Sequence, residues 1–206
     1  VSIQTEFEQE IPTPKGGEIG IDIGIVRFAT LSDGTFFEPV NAFKTLKGKL
    51  AKLQKRFKHK TKFSKNWQKW KAKIAKLHQK ITNQRDWFLH NYSTYLIENY
   101  DRVFIEDLDV KGLLEKRQLS KEISDVSWSK FFKMLQYKAD WYGKEVHKVD
   151  RYYASSKTCS CGVKNENLKL SDRVWTCNSC GTENSRDHLA SQNILKEGRR
   201  SLGDLG

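Results

Sequence analysis

Three acids stand where acids are costly or conspicuous: Asp22 and Glu106 inside strongly apolar, β-branched runs, and Asp187 directly after a cysteine cluster. Burying a lone carboxylate costs several kcal/mol unless something pairs with it. Each alone has a plain structural reading: Asp22 as a strand-edge acid, Glu106 beside Asp107 as one of two acids on opposite faces, Asp187 as an early-helix acid favoured by the dipole. Brought to one point by a fold, they make a divalent-metal site. Mg²⁺ prefers hard oxygen ligands and binds through few carboxylates plus water and substrate phosphates.

The second chemical signal is cysteine spacing. Cys177-Asn-Ser-Cys180-Gly181 is a regular two-residue knuckle, whereas Cys159-Ser-Cys161-Gly162 is one residue short. Four thiolates in two close pairs point to one tetrahedral Zn²⁺ in a ribbon rather than to disulfides. The alternative is a degraded ribbon with weak or no metal. His147 and His188 are the substitute ligands at hand, each more simply read as a surface histidine.

The third signal is charge. The net charge of +12 comes from 37 Lys/Arg against 25 Asp/Glu. From Pro39 to Arg85 there is no acid, and Lys44 to Arg85 supplies sixteen basic residues. That block exceeds the whole net charge, so the remainder of the chain is net negative. Phe57, Phe63, Trp67 and Trp70 are interleaved with the lysines, as on a surface that follows a phosphate backbone; the bland alternative is a solvated helical face. Within it Lys52, Lys55, Arg56, Lys69 and Lys73 are the candidate nucleic-acid contacts, joined by Lys157 and Arg186 beside the cysteines and the third acid.

The elements that must position these groups follow from periodicity. Residues 1–8 alternate as a strand, ended by Pro12, Pro14 and Gly16-Gly17. Glu18 to Leu31 is strand-like, and Asp33-Gly34 is a hairpin turn. Residues 44–98 read as a helical hairpin broken near His59–Lys65, with stripes Leu46, Leu50, Leu53, Phe57 and Trp70, Ile74, Leu77, Ile81. Arg102–Leu108 is a short strand, 110–126 a loop or irregular helix, and Ser127–Tyr142 a helix closed by Gly143. Glu145–Asp150 is a strand, and 155–182 is the cysteine module. Asp187–Glu197 is a last helix stopped by Gly198, with a frayed tail at 199–206.

This order fits an α/β, ribonuclease-H-like fold with a mixed central sheet, though other α/β folds share it. No run is long and apolar enough for a membrane span, and the chain does not open as a signal peptide would. Phosphate-loop, dinucleotide and nucleophile-elbow motifs do not occur. A chain that begins on Val1 inside a strand-like run predicts material upstream.

Several segments stand in a familiar order: Gly20-Ile-Asp22-Ile-Gly24, Val103-Phe-Ile-Glu106-Asp-Leu and Ser155-Ser-Lys-Thr-Cys159. They continue through Arg173-Val-Trp175-Thr-Cys177-Asn-Ser-Cys180-Gly to Arg186-Asp187 and Asn193-Ile194. From the N-terminus to about Gly198 the chain closely resembles the C-terminal half of transposon-encoded TnpB (OrfB) nucleases, relatives of type V CRISPR effectors. The resemblance implies a RuvC-type nuclease core (18–154, containing the basic hairpin, with a final helix at 183–198), an inserted zinc ribbon at 155–182, and a remnant of a wedge-like β domain at 1–17. It implies Asp22, Glu106 and Asp187 as catalytic ligands of two Mg²⁺ or Mn²⁺ ions, one Zn²⁺ on Cys159, Cys161, Cys177 and Cys180, DNA as substrate and a guide RNA as partner. It also implies an upstream or full-length polypeptide of the family as partner, and a bacterial or archaeal cytoplasm near the nucleoid. Competing readings are a truncated, non-cleaving binding product and a stand-alone nuclease that needs no guide. The chain departs from the family pattern in the short first cysteine pair, in Asn184-Ser185 in place of His-Asp, and in Asp187-His-Leu-Ala-Ser191 in place of Asp-x-Asn-Ala-Ala.

Overall fold

A computed structural model describes residues 13, 16–115, 127–169 and 171–203. The run Glu18–Ile23 forms β1, Ala29–Leu31 β2 and Phe36–Phe37 β3. Arg102–Glu106 forms β4 and Glu145–Val149 β5. The five make one mixed sheet of order β3-β2-β1-β4-β5, in which β1, β4 and β5 pair in parallel and β2 pairs antiparallel with both β1 and β3. The expected Asp33-Gly34 turn closes β2 onto β3: Gly34 has φ +91°, and the Thr35 N–H donates to Asp33 Oδ1 at 2.8 Å.

The basic segment is a helical hairpin of α1 (Ala42–Lys58) and α2 (Lys65–Asn99). Ser64 caps α2 by accepting from the Trp67 N–H at 3.1 Å, which fixes the break where the sequence placed it. Leu50, Leu77 and Ile81 of the two predicted stripes are buried in the hairpin seam, and Phe57 lies against Trp67. The C-terminal half of α2 and the helix α4 (Trp128–Tyr142) cover one face of the sheet. There Ile19, Ile21, Ile23, Val103 and Ile105 meet Leu89, Leu96, Phe131 and Leu135, all buried. α4 stops at Gly143 in the left-handed region, as expected. Val110–Glu115 forms a short helix α3, while the rest of the 110–126 stretch lies outside the described residues, as do the strand expected at 1–8 and the last three residues of the tail.

The other face is covered by α5 (Arg186–Leu202). Here the sequence reading is corrected: Gly198 does not stop this helix, which runs on to Gly203 (φ +79°) and so includes part of the expected frayed tail. Gly198 is an interior position where the helix lies on the sheet, since a Cβ there would sit 2.1 Å from the Phe104 ring. Arg199, one residue on, donates to Glu18 Oε2 at 2.5 Å and ties the helix end to β1. A two-stranded antiparallel sheet of β6 (Val174–Thr176) and β7 (Glu183–Ser185) carries the second cysteine pair and leads into α5. Among the described residues no helix is long and apolar enough to cross a membrane.

Candidate active site and metal centre

Strand parity puts Gly20 and Asp22 on the face of β1 opposite the buried Ile19, Ile21 and Ile23. The parallel pair β1–β4 holds Ile21 beside Ile105, so Asp22 and Glu106 are the next residues in register at the carboxyl ends of both strands. Neighbouring strands lie about 4.8 Å apart, and both acids share the α5 face with Gly20 and Phe104. Ile105 falls in the core on the opposite face, and Asp107, beyond the strand, pairs with Lys148 at 3.0 Å and with Arg151.

Asp187 arrives from α5. That helix runs antiparallel to β1 and so close that a Cβ on Gly20 would be 2.2 Å from the Ser191 carbonyl oxygen. Two residues along the strand is about 6.6 Å, and four residues back along the helix is about 6 Å. Asp22 and Asp187 therefore come level. All three acids line one cleft of about 760 Å³.

The cleft is acidic at its floor and basic at its walls. Asp22 keeps part of its surface on the cleft but is otherwise surrounded by protein. Burial first, then the charges of Asp187 and Glu106, raise its pKa to about 8, while Arg186 and Arg173 pull the other way. Burial also raises Glu106. Arg173 Nη1 lies 3.3 Å from Asp187 Oδ1. Arg27, Arg151, Lys157 and Lys164 complete the basic wall together with Arg173 and Arg186. Of the seven expected nucleic-acid contacts, the structure brings Lys157 and Arg186 into this cleft. It leaves Lys52, Lys55, Arg56, Lys69 and Lys73 exposed on the helical hairpin, away from it.

The four cysteines are one cluster with sulfurs all within 4.8 Å of one another, and none is in a disulfide. Cys159 Sγ is 3.7 Å from Cys180 Sγ, and Cys161 Sγ is 3.7 Å from Cys177 Sγ. The edge of a tetrahedron with ~2.3 Å metal–sulfur bonds is about 3.8 Å, so donors and spacing both fit Zn²⁺. In the regular knuckle the Gly181 N–H bonds the Cys177 carbonyl and the Cys177 N–H bonds the Thr182 carbonyl, both at 2.9 Å. The short pair repeats this closure one residue sooner, Gly162 N–H to the Cys159 carbonyl and Cys159 N–H to the Val163 carbonyl. Gly162 and Gly181 are both left-handed (φ +87° and +71°), so a tighter turn serves the same end. Chiefly the Cys161 backbone N–H, aimed at its sulfur, lowers the Cys159 thiol to about 6. His147 and His188 stand outside the cluster; His147 bonds Glu145 and His188 faces the Ser32 carbonyl.

The family model OrfB_IS605, described as "Probable transposase", matches residues 2–117, more than half of the chain. The chain belongs to the transposon-encoded OrfB (TnpB) family. A second model, "Cas12f1-like, TNB domain", matches residues 128–194 of this OrfB chain. It is 41% identical over 87% of its length to a "Putative RNA-guided DNA endonuclease" of Streptomyces pristinaespiralis, of which it covers 45%. It is 37% identical over 98% of its length to the "Putative RNA-guided DNA endonuclease InsQ" of Escherichia coli (strain K12), of which it covers 54%. It thus spans about half the length of these relatives. In fold it is similar to one chain of a "CRISPR-Cas12f Ternary Complex", with a TM-score of 0.62 at 19% identity over 90% of this chain and 40% of that one.

Sequence reasoning overlooked several residues of the site. Arg27 and Arg151 line the cleft from loop positions without a spacing that would mark them, and Arg173, which stands in a familiar segment, joins them there. Asn184, one of the departures from the family pattern, is buried with its Nδ2 3.6 Å from Cys159 Sγ and 3.1 Å from the Thr182 carbonyl. Asn193 donates from Nδ2 to the Ser155 and Thr158 carbonyls at 2.7 and 2.6 Å, fastening the segment that leads into the first cysteine pair to α5. Its place in a familiar motif was visible, its bonds were not.

Proposed function

We propose that this OrfB chain carries the RuvC-type nuclease core of an RNA-guided DNA endonuclease, in residues 18–154 and 183–198, interrupted by a zinc ribbon at 155–182. The observation that carries this reading is the meeting of Asp22, Glu106 and Asp187 in one cleft walled by Arg27, Arg151, Lys157, Lys164, Arg173 and Arg186. Three hard-oxygen donors, among which burial first and then the charges of Asp187 and Glu106 raise Asp22 to about 8, are a donor set that calls for a divalent cation. Asp22, Glu106 and Asp187 would hold Mg²⁺ or Mn²⁺. Two such ions would supply an activated water and a sink for the charge on the leaving oxygen in phosphodiester hydrolysis.

The chain's own residues do the rest. The basic wall binds the phosphates on either side of the scissile bond, and Arg173 steadies Asp187 at the first turn of α5. Lys157, two residues before the first cysteine, is placed by the Asn193 bonds to the Ser155 and Thr158 carbonyls on either side of it. The ribbon sets the position of Arg173 and Arg186 through β6 and β7. Cys159, Cys161, Cys177 and Cys180 would hold one Zn²⁺, whose role here is to fix that scaffold. Lys52, Lys55, Arg56, Lys69 and Lys73 are proposed to bind the guide or target strands by their backbone, as fits relatives named for RNA guidance.

The test is cleavage of single- and double-stranded DNA by the protein with and without guide RNA, in Mg²⁺, Mn²⁺ and EDTA. Cleavage that needs a divalent ion and disappears in Asp22→Ala, Glu106→Gln and Asp187→Ala is expected. Metal-independent cleavage, or cleavage that survives all three changes, refutes the reading.

A further inference from the structure

Where β5 ends, the chain turns through Asp150-Arg151-Tyr152-Tyr153 before reaching the first cysteine pair. The turn is pinned on several sides. The Tyr152 N–H donates to Asp150 Oδ1 at 2.8 Å, and the Tyr153 N–H to the Asp150 carbonyl at 3.0 Å. Tyr153 packs inward on the Phe104, Val149 and Ile194 cluster. Arg151 is held by Asp107, which also takes Lys148. What this bracing presents outward is Tyr152, whose surface is 88% exposed.

An aromatic ring left that open has no packing role among the described residues. Its position is particular: Arg151 and Tyr152 together line the acidic cleft, an adjoining cavity of about 570 Å³ along Asp107 to Asp150, and a third of about 260 Å³ behind Glu106. These two residues are the shared rim of the acid site and its neighbouring hollows. A guanidinium that meets phosphate beside a rigid, solvent-facing ring is the pair needed to hold one unpaired nucleotide, since every base has a face that can stack.

Resting on the nuclease reading, we propose that Tyr152 and Arg151 form a nucleotide grip for the single-stranded DNA substrate: the Tyr152 ring stacks on an unpaired base next to the scissile bond and Arg151 binds the phosphate beside it. The grip makes the cleft selective for unpaired strand, because a base stacked inside a duplex has no free face to offer. Asp107 is a positioning residue that aims Arg151.

Binding of a fluorescein-labelled 12-mer oligodeoxythymidine and of the same 12-mer with abasic residues tests this by anisotropy, in an Asp22→Asn background so that affinity is read without cleavage. The intact strand is expected to bind about 5- to 150-fold more tightly than the abasic one. Tyr152→Ala removes that difference and Tyr152→Phe keeps it, whereas Arg151→Ala weakens both strands by a similar factor. Thermal melting of the Tyr152 variants should match the parent, given the exposure of the ring. An intact-to-abasic ratio unchanged in Tyr152→Ala overturns the grip. So does tighter binding of oligouridine than of oligodeoxythymidine, which assigns the ring to RNA. These outcomes are separate from the cleavage test, because a chain that fails to cut still reports its stacking ratio.

Discussion

Gly20 on β1 lies directly under Ser191 on α5, so close that one added methyl would fall 2.2 Å from the Ser191 carbonyl oxygen and 2.6 Å from the Leu195 nitrogen. These contacts are backbone, which cannot swing aside as a flexible side chain can. Since α5 also delivers Asp187, the depth at which it seats decides whether the third acid reaches the other two.

Gly20→Ala is therefore expected to cost about 1–3 kcal/mol of stability and to lift α5 from the sheet. Cleavage should fall further than stability alone explains, because Asp187 moves while Asp22 and Glu106 stay. Urea unfolding and single-turnover cleavage, compared at a temperature where the variant remains folded, check this. Gly198→Ala meets the Phe104 ring at the far end of the same helix and should destabilise with less loss of cleavage.

Asp22 gives the pH prediction. Its raised pKa means that in metal-free protein the folded state holds a proton that the unfolded chain has already released. Stability of the metal-free protein should therefore be full below about pH 4 with respect to this group and decline as pH rises toward about 8, levelling off beyond. A divalent ion competes for the same oxygen, so its affinity should rise with pH over that window with release of a proton. Asp22→Asn removes the repulsion: it should raise the melting temperature of the metal-free protein at pH 8, abolish cleavage, and flatten the pH dependence. A lower melting temperature for Asp22→Asn at pH 8 contradicts the electrostatics of the cleft.

The ribbon predicts one Zn²⁺ per chain in spite of its short first pair. Cys161→Ser or Cys177→Ser should abolish stoichiometric zinc by elemental analysis. Asn184→Ala should leave the zinc in place but speed its loss to a chelator, by roughly tenfold on the scale of groups that support metal ligands. Inserting one residue between Cys159 and Cys161 to restore the longer spacing should be tolerated, since the existing turn reproduces the longer turn's closing bonds.

Much of this was readable in the chain because periodicity and burial are local signals. The acids of β1 and β4 stand out as charges within apolar runs, and strand parity sets Glu106 and Asp107 on opposite faces without any knowledge of register. Gly198 misled for a physical reason: glycine ends helices by adopting a left-handed conformation, yet it also admits close packing, and only the neighbouring Phe104 ring tells the two apart. Arg173 stands in one of the familiar segments, but its role and that of Arg151 leave no trace in the sequence, because a hairpin and a turn fold them toward Asp187 and Asp107. Asn184 was seen only as a departure from a pattern, since a sulfur contact leaves no periodic trace.

The basic hairpin carries the last prediction. Lys52, Lys55, Arg56, Lys69 and Lys73 are exposed, and Trp70 lies beneath several cations, with Lys73 Nζ 4.9 Å and Lys60 Nζ 5.6 Å from its ring centre. A positively charged face with no acid between Pro39 and Arg85 repels itself, which costs stability that a merely solvated helix would have no reason to bear. Replacing these five residues with alanine should raise the melting temperature slightly or leave it unchanged. Affinity should fall alike for every sequence, and the slope of log K against log salt should flatten by about 0.7–0.9 per lost phosphate contact. Cleavage of a short single strand that fits the acid cleft alone should be nearly unaffected, because none of the five lines it. Titration of wild type and variant at several salt concentrations separates this from a solvated face, for which affinity and slope stay as they were.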